Sequence, residues 1–406
     1  MNMKRITFGL IFIFCGMITM TPQTKNQSEQ IPILGWYGVS PKENTAERFK
    51  ELEESGITHN FTFYKSVNEL AIALDAAHKA GVKVIAHCPE LEKEPEEIVK
   101  RFMNHPALAG YYLRDEPGRA AFPALGEWAR RIQKVDDKHF CYLNLLPNYA
   151  PTSALGTETY REHVQLFIQE VPIQLLSFDY YPIILDELGN RIVRNTWYEN
   201  LEIFSEEAFK VGKPFWAFAL TVAHGPYPVP TLEEIKLQVF SNLAYGAQGI
   251  QYFTYWTPSI DEGQDFHHGP IDFDTHKRTD VYDRMKEMNR DIKNLSHVFL
   301  NSKVVHVAHT GDEIPYGTKR LKELPDVITS FETEGEGAIV SVLEKEKESF
   351  LVVVNRDFKN KMKVKIEGHS SLKRILKDGT SVPAQAYVNT MEVDPGDLLI
   401  FSWQNQ

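Results

Sequence analysis

Hydrophobic positions between residues 33 and about 297 alternate between two patterns. Short continuous apolar runs are typical of strands buried on both faces, and stretches with apolar residues every three or four positions are typical of helices. The predicted strands are 33–39, 59–64, 82–88, 108–114, 140–146, 173–181, 214–221 and 250–256. The predicted helices are 45–55, 66–80, 94–104, 123–135, 158–170, 196–211, 231–247 and 279–295. Eight strand–helix units in succession predict an α/β fold, a (β/α)8 TIM barrel.

Local signals mark the ends of several helices. Ser66 and Thr231 stand at predicted N-caps, and Gly81 follows a helix where a left-handed residue is needed. An open doubly wound sheet is the alternative architecture. The first strand is not followed by a glycine-rich phosphate turn, which favours the barrel.

After residue 300 the pattern changes to short alternating strands separated by turns. These strands are predicted at 303–308, 338–343, 349–355, 361–366, 373–376 and 397–403. They predict an antiparallel β-sandwich. The expected domains are therefore a barrel at 30–300 and a C-terminal sandwich at 303–406.

The N-terminus has the layout of an export signal. Lys4 and Arg5 precede an uncharged apolar stretch at 6–20, so residues 1–25 are expected to be a signal peptide or lipoprotein signal. Cys15 is a possible lipid anchor, although the bulky Phe14 precedes it. We expect an exported protein that is periplasmic, outer-membrane-associated or secreted, with no transmembrane segment after removal of the signal.

Net charge, cysteine content and loop composition indicate which partners and cofactors the protein is expected to lack. The formal net charge of -11 argues against nucleic acid as a partner. Cys88 and Cys141 are expected to be small buried hydrophobes. The loop 261–278 is rich in Asp and His, but its spacing matches no zinc or calcium pattern. We therefore expect no cofactor and no metal.

The fourth predicted strand ends in two adjacent carboxylates. Asp115 and Glu116 follow the apolar run and precede Pro117, which cannot extend a ladder. Catalytic groups of a barrel lie at this end of the strands. Glu116 is the candidate general acid, since a neighbouring carboxylate raises its pKa, and Asp115 is that neighbour. The alternative is that both carboxylates pair with Arg114 and Arg119 and only close a loop.

Asp179 is the second candidate catalytic carboxylate. Alternation along the sixth strand places Ser177, Asp179 and Tyr181 on one face, which is polar in an otherwise apolar strand. The alternative is a buried Asp that fixes neighbouring hydroxyls.

The other predicted strand ends carry aromatic, amide and charged side chains. Sugars bind such mixtures, because their apolar faces stack on aromatic rings and their hydroxyls bind carboxylates and amides. Trp36 and Trp256 are expected to form stacking surfaces, and Tyr181 is expected near the reacting centre. The full set of substrate-binding candidates is Trp36, Tyr37, Tyr64, His87, Arg114, Asn144, Tyr181, His224, Trp256, Asp261 and Glu262.

These features resemble barrel glycoside hydrolases of the β-galactosidase and cellulase superfamily. The resemblance lies in Gly110-Tyr111-Tyr112-Leu113-Arg114-Asp115-Glu116-Pro117 on strand four, the aromatic strand eight ending in Trp256, and the trailing sandwich. In that superfamily an Asn-Glu-Pro at this place carries the acid/base. The resemblance therefore implies an exported glycosidase with a carbohydrate substrate and gives the acid/base role to Glu116.

The chain departs from that superfamily on strand seven. The resemblance implies a nucleophilic Glu at the end of this strand, but residues 215–224 contain no carboxylate. Asp179, Asp261 or Glu262 could be the second carboxylate, with Asp179 preferred and an inverting geometry possible. The adjacent Asp-Glu pair also resembles hexosaminidases, in which Asp115 would orient a substrate N-acetyl group that acts as nucleophile. A non-catalytic surface glycan-binding protein and a purely structural scaffold remain the alternatives.

Overall fold

The computed structural model describes residues 30–259, 264–387 and 390–405. The predicted signal at 1–25 and the candidate lipid anchor Cys15 lie outside the described residues, as do Asp261 and Glu262. In the described ranges, no helix is long and apolar enough to cross a membrane.

Eight parallel strands form the barrel. They are β1 (Ile33–Trp36), β2 (His59–Asn60), β3 (Lys83–Ala86), β4 (Leu108–Asp115), β5 (Phe140–Asn144), β6 (Leu176–Phe178), β9 (Phe215–Leu220) and β10 (Gly249–Phe253). Their order is β5-β4-β3-β2-β1-β10-β9-β6, and a parallel bridge between Leu145 and Phe178 closes the ring between β5 and β6. The predicted TIM barrel is confirmed.

Helices cover the outside of the barrel. They are α1 (Ala46–Glu54), α2 (Val67–Ala80), α3 (Pro89–Lys93), α4 (Pro95–Phe102), α5 (Phe122–Gln133), α6 (Thr152–Leu155), α7 (Tyr160–Glu170), α8 (Trp197–Lys210), α9 (Leu232–Ala244) and α10 (Asp280–Phe299). The cap signals act as expected. The Ser66 side chain accepts from the Glu69 N–H, Gly81 has φ 75°, and Thr231 forms a capping box with Glu234.

One hairpin interrupts the barrel sequence and was not predicted. It follows β6 and pairs β7 (Ile183–Leu185) with β8 (Arg191–Val193). Asp186 organises its turn, because its Oδ1 accepts from the N–H groups of Leu188 at 2.9 Å and Asn190 at 2.8 Å. The hairpin brings Arg194 to the rim of the barrel beside β6.

The C-terminal part is a sandwich of two antiparallel sheets, as predicted. Its strands are β11 (Lys303–His309), β12 (Ile328–Glu332), β13 (Ala338–Lys345), β14 (Glu348–Asn355), β15 (Met362–Gly368), β16 (Lys373–Ile375), β17 (Ser381–Pro383), β18 (Met391–Val393) and β19 (Leu398–Gln404). The order β11-β13-β14-β19-β16-β17 forms the larger sheet, and β12-β15-β18 forms the smaller. Val340 and Val353 face the smaller sheet, whereas Ile339 and Val352 belong to the core that is continuous with the barrel.

A buried polar cluster joins the barrel to the sandwich. The Tyr245 hydroxyl contacts Nε2 of His309 at 2.8 Å and donates to Oε1 of Glu202 at 3.3 Å. Burial lowers the pKa of His309 to about 3, so its ring is neutral at physiological pH. The Ser341 hydroxyl also donates to the Ala244 carbonyl at 2.7 Å. Buried polar contacts therefore join the two parts, in addition to an apolar core that is continuous between them.

We expect Tyr245→Phe to lower the free energy of unfolding by about 1–3 kcal/mol, because His309 and Glu202 would each lose a buried hydrogen-bond partner. Urea unfolding followed by far-UV circular dichroism measures this change. Tyr316→Phe is the control, since Tyr316 is 67% exposed. Equal stability of the two variants would show that the cluster does not stabilise the junction.

Candidate active site

Three carboxyl groups meet at the C-terminal rim of the barrel. Asp115 is the last residue of β4, Glu116 follows it, and Asp179 directly follows β6. The Glu116 backbone has φ 43°, a left-handed conformation that is costly for a residue with a side chain. The hydrogen bond from the Glu116 N–H to the Asn144 carbonyl, at 2.8 Å, holds it there.

Asp115 and Glu116 interact although they are adjacent in the sequence. In a regular extended strand, alternation would place such neighbours on opposite faces. The pairing register of β4 with β5 shifts between Tyr112 and Arg114, and the chain leaves the extended conformation at Glu116. Both carboxyl groups therefore face the same site. Burial first and the charge of Glu116 second raise the pKa of Asp115, and burial raises the pKa of Glu116.

Asn144 connects two of the three carboxyl groups. Its Nδ2 donates to Oδ1 of Asp115 at 3.2 Å and to Oδ1 of Asp179 at 3.1 Å. The Ser177 hydroxyl donates to Oδ1 of Asn144 at 2.9 Å, which fixes the orientation of the amide. Below it, Nε2 of Gln251 donates to Ser177 Oγ at 2.8 Å. A directed chain of donors therefore runs from the barrel interior to the carboxyl groups.

The environment favours the protonated forms of these acids. Asp179 is 8% exposed, and burial first and the charges of Glu116 and Asp115 second raise its pKa well above the usual value. Solvent reaches Asp115 and Glu116, but surrounding protein limits their hydration and raises the pKa of both. The pKa of Asp115 is about 7. The rim therefore keeps a dissociable proton near neutral pH.

Asp179 and Glu116 are hydrogen-bonded to each other through their carboxyl groups. The structure therefore brings Asp179, the preferred second carboxyl group, into contact with Glu116, whose charge adds to burial in raising the pKa of Asp179.

An aromatic wall with one guanidinium faces these carboxyl groups. Tyr181 is 7% exposed, and the negative charges of Asp179, Asp115 and Glu116 add to burial in raising its pKa. Arg194 lies 4.6 Å from the centre of the Tyr149 ring, and its Nη2 donates to the Tyr227 hydroxyl at 3.2 Å. Sequence reasoning identified Tyr181 but missed Tyr149, Tyr227 and Arg194, which lie on loops and on the end of the unpredicted hairpin.

Trp36 has to be corrected as a stacking surface. It is 2% exposed and lies inside the barrel, with its ring centre 4.4 Å from that of Phe61 and 5.4 Å from that of Phe218. Neither ring face is free for a sugar. Trp36 fills the barrel interior together with Tyr142 and Trp216.

Two adjoining cavities at the rim contain several of the other candidates. The first has a volume of about 750 Å³ and is lined by Tyr37, Tyr64, His87 and Trp256 among others. The second has a volume of about 770 Å³ and includes His87, Arg114 and Asp115. Trp256 is 5% exposed, because Arg48 lies 5.4 Å from its ring centre and His276 lies 5.3 Å away. Only a small part of this ring is therefore available to a ligand.

The end of β9, the seventh barrel strand, carries no carboxylate. The chain continues through Thr221 and Val222 to His224, which is 6% exposed and packs on Tyr227 and Phe266. Oδ1 of Asp265 accepts from the Gly225 N–H at 2.7 Å, which ties the loop after strand eight to this loop. The structure therefore also shows no carboxylate at the end of the seventh strand, where the resemblance implied a nucleophilic Glu.

The site offers no evident metal centre. Within the part of the chain that the structure describes, no group of three His, Cys, Asp or Glu side chains is arranged to hold an ion. Cys88 and Cys141 are free and buried, and burial raises the pKa of their thiols to about 11 and about 12. Neither thiol is suited to act as a nucleophile near neutral pH.

Comparison with known proteins identifies the fold but no close relative. No family model and no curated protein matches the chain. Among solved structures, a catalytic mutant of a family 42 β-galactosidase from G. stearothermophilus has a TM-score of 0.60 at 10% identity, covering 93% of this chain and 99% of that one. A β-galactosidase from Bacillus circulans sp. alkalophilus has a TM-score of 0.61 at 9% identity, covering 92% and 99%. The chain therefore has the fold of the barrel glycoside hydrolases.

The raised pKa of Asp115 makes a prediction about stability. Between its usual value of 3.8 and about 7, the folded protein keeps a proton that the unfolded chain loses, so rising pH weakens the folded state. We expect Asp115→Asn to raise the thermal midpoint at pH 8 by about 1–3 °C and to leave it unchanged at pH 4.

Thermal unfolding of wild type and variant at both pH values measures this difference. Asp137→Asn is the matched control, because Asp137 is an exposed residue away from the rim. The assignment of a raised pKa to Asp115 would be contradicted if the thermal midpoint rose equally at pH 8 and pH 4. It would also be contradicted if the control variant showed the same rise.

Proposed function

We propose that this protein is a glycoside hydrolase with Glu116 as its general acid. The observation that carries the proposal is the meeting of Asp115, Glu116 and Asp179, with raised pKa values, at the catalytic end of a glycosidase-type barrel. Cleavage of a glycosidic bond requires a proton on a poor leaving group. A cluster of acids that holds a proton near neutral pH meets that requirement.

Each carboxyl group has a distinct role in this proposal. Glu116 is exposed at the turn that follows β4, and it delivers the proton to the glycosidic oxygen. Asp179 is a positioning residue, because it is nearly buried and hydrogen-bonded to Glu116. Asn144 donates to Asp115 and Asp179 and fixes their orientation. Tyr181 lies close enough to the acids for their charges to add to burial in raising its pKa, and it contacts the substrate near the reacting carbon.

The spacing of the acids favours one particular route as a second candidate. The pair Glu116–Asp179 is too close to stand on the two faces of a sugar ring, and strand seven ends without a carboxylate. A substrate that supplies its own nucleophile, such as a 2-acetamido group, would not need that residue. Asp115 would then orient the acetamido nitrogen. Preferential hydrolysis of N-acetylated over non-acetylated glycosides would support this route.

We expect Glu116→Gln to reduce turnover by about 10²-fold or more, with glycan binding retained, because the amide keeps the shape of the acid but has no acidic proton to transfer. Reducing-end assays on a panel of plant, host and microbial glycans measure turnover, and calorimetry measures binding. Glu323→Gln, at an exposed loop position, is the control.

The outcome also separates the enzyme from a non-catalytic binding protein. Full turnover by Glu116→Gln would reject the assigned acid. Glycan binding by the wild type without any product would instead favour the surface glycan-binding protein. Absence of both binding and turnover across the panel would favour a structural scaffold.

The pH dependence of turnover tests the coupling of the acids. An acid must be protonated to act, so activity is expected to fall on the alkaline side as the cluster loses its proton. Asp115→Asn removes one negative charge beside Glu116, so the remaining proton leaves at lower pH. In the Asp115→Asn variant, kcat/KM is therefore expected to fall at a lower pH on the alkaline side than in wild type. The same alkaline fall in both proteins would show that Asp115 does not influence the acid.

A further inference from the structure

We infer that the substrate is a chain of at least four sugar units, bound along an arc of the barrel rim that leads to the carboxyl groups. This inference rests on the proposed glycan chemistry and adds the length and the path of the ligand. The arc consists of the two rim cavities, of about 750 Å³ and about 770 Å³, which are contiguous because Phe63 and His87 line both.

The topology of the barrel gives the path of the arc. The first cavity is formed by the loops after β10, β1, β2 and β3, which are neighbours in the sheet. The second continues over the ends of β3 and β4 and reaches α5, where Trp128 lines it. Asp115 lines this second cavity, and Glu116 is the next residue. The arc therefore begins at the strand-eight loop and runs past the proposed acid.

The volume of the arc exceeds what a single sugar needs. Pockets of about 300–1,000 Å³ hold ligands of drug size, so each cavity holds roughly two to three sugar rings. A site for one terminal sugar would need only one of the two. The second cavity extends to the outer helix layer, which a monosaccharide bound at the carboxyl groups would not reach.

The lining suits the alternating faces of a sugar chain. Phe63 is half-buried at the junction, where it packs on His87 at 5.1 Å and Tyr112 at 5.6 Å between ring centres. Phe273, 40% exposed, lies in the first cavity. Lys42, Lys65 and Glu69 supply hydroxyl-binding groups around these rings. Aromatic rings at separate points with polar groups between them match the apolar faces and hydroxyls of successive units.

The test measures binding against chain length without requiring turnover. Glu116→Gln is titrated by calorimetry with cello-, manno-, galacto- and chito-oligosaccharides of one to six units. For at least one series, affinity is expected to rise about ten-fold or more between two and five units. Phe273→Ala in the same background is expected to remove most of that gain, and it tests the far end of the arc at a position where an exposed side chain carries little of the fold.

Phe63→Ala tests the junction, and Ile72→Ala is the control, since Ile72 is 56% exposed on α2 outside both cavities. Circular dichroism shows whether each variant is folded. The arc would be overturned if oligosaccharides of two and five units bound with equal affinity, or if none of the four series bound. It would also be overturned if the Phe273→Ala variant kept the full gain in affinity.

The two proposals fail in different ways. Length-dependent binding without any product from wild type would leave the arc standing and reject the hydrolase. Product formed at the same kcat/KM from two-unit and five-unit substrates would leave the hydrolase standing and reject the arc.

Discussion

The candidate site depends on the amide of Asn144, which is 2% exposed. A carboxamide can donate or accept, and here its oxygen is occupied by the Ser177 hydroxyl, so its nitrogen must point to the carboxyl groups. That donation lowers the pKa of Asp115 and Asp179, while burial and mutual charge raise it. Because burial dominates, the acids stay partly protonated, and the amide keeps them in fixed positions. The same network reaches Gln251 and Tyr142, so the interior of the barrel determines the geometry of its rim.

The barrel interior determines what the rim can contain. Trp36, Phe61 and Phe218 fill the space below the carboxyl groups and leave no deep channel along the barrel axis. The two cavities therefore lie to one side of the barrel axis, over the ends of β1 to β4 and β10. Carboxyl groups beside a lateral groove suit a long ligand better than a small one that enters along the axis. The proposed acid and the proposed arc are thus consequences of the same packing.

Much of the fold was predictable because short, largely apolar segments alternate regularly with helix-like segments along residues 33–297. The register of side chains was predictable where strands are regular, as at Ser177, Asp179 and Tyr181, which all lie on the inner face. The geometry was not predictable where the backbone departs from regularity. The coupling of Asp115 to Glu116 depends on a register shift and a positive φ, and neither leaves a clear signal in a single sequence.

Other features depended on long-range contacts. Trp36 and Trp256 are both aromatic residues at strand ends, and the sequence alone does not show that Phe61 covers one ring and Arg48 the other. The hairpin of β7 and β8 has three-residue strands, too short for their alternation to be distinguished from a loop. It nevertheless delivers Arg194 to Tyr149 and Tyr227.

The spacing of the acids constrains any mechanism that this site performs. Two protein carboxyl groups that share a hydrogen bond act as one proton reservoir, because the loss of one proton raises the affinity of the pair for the other. Such a pair supplies acid catalysis but not a separate nucleophile. A nucleophile must then come from water, from the substrate, or from a residue beyond the hydrogen-bonded pair. Attack by water requires a second carboxylate that takes up the proton of the water molecule, whereas a nucleophilic group of the substrate requires no carboxylate at the end of β9, where this chain has none. The lack of a carboxylate on strand seven and the contact between Glu116 and Asp179 therefore favour the same chemistry, in which the protein contributes the proton and a group of the substrate contributes the electron pair.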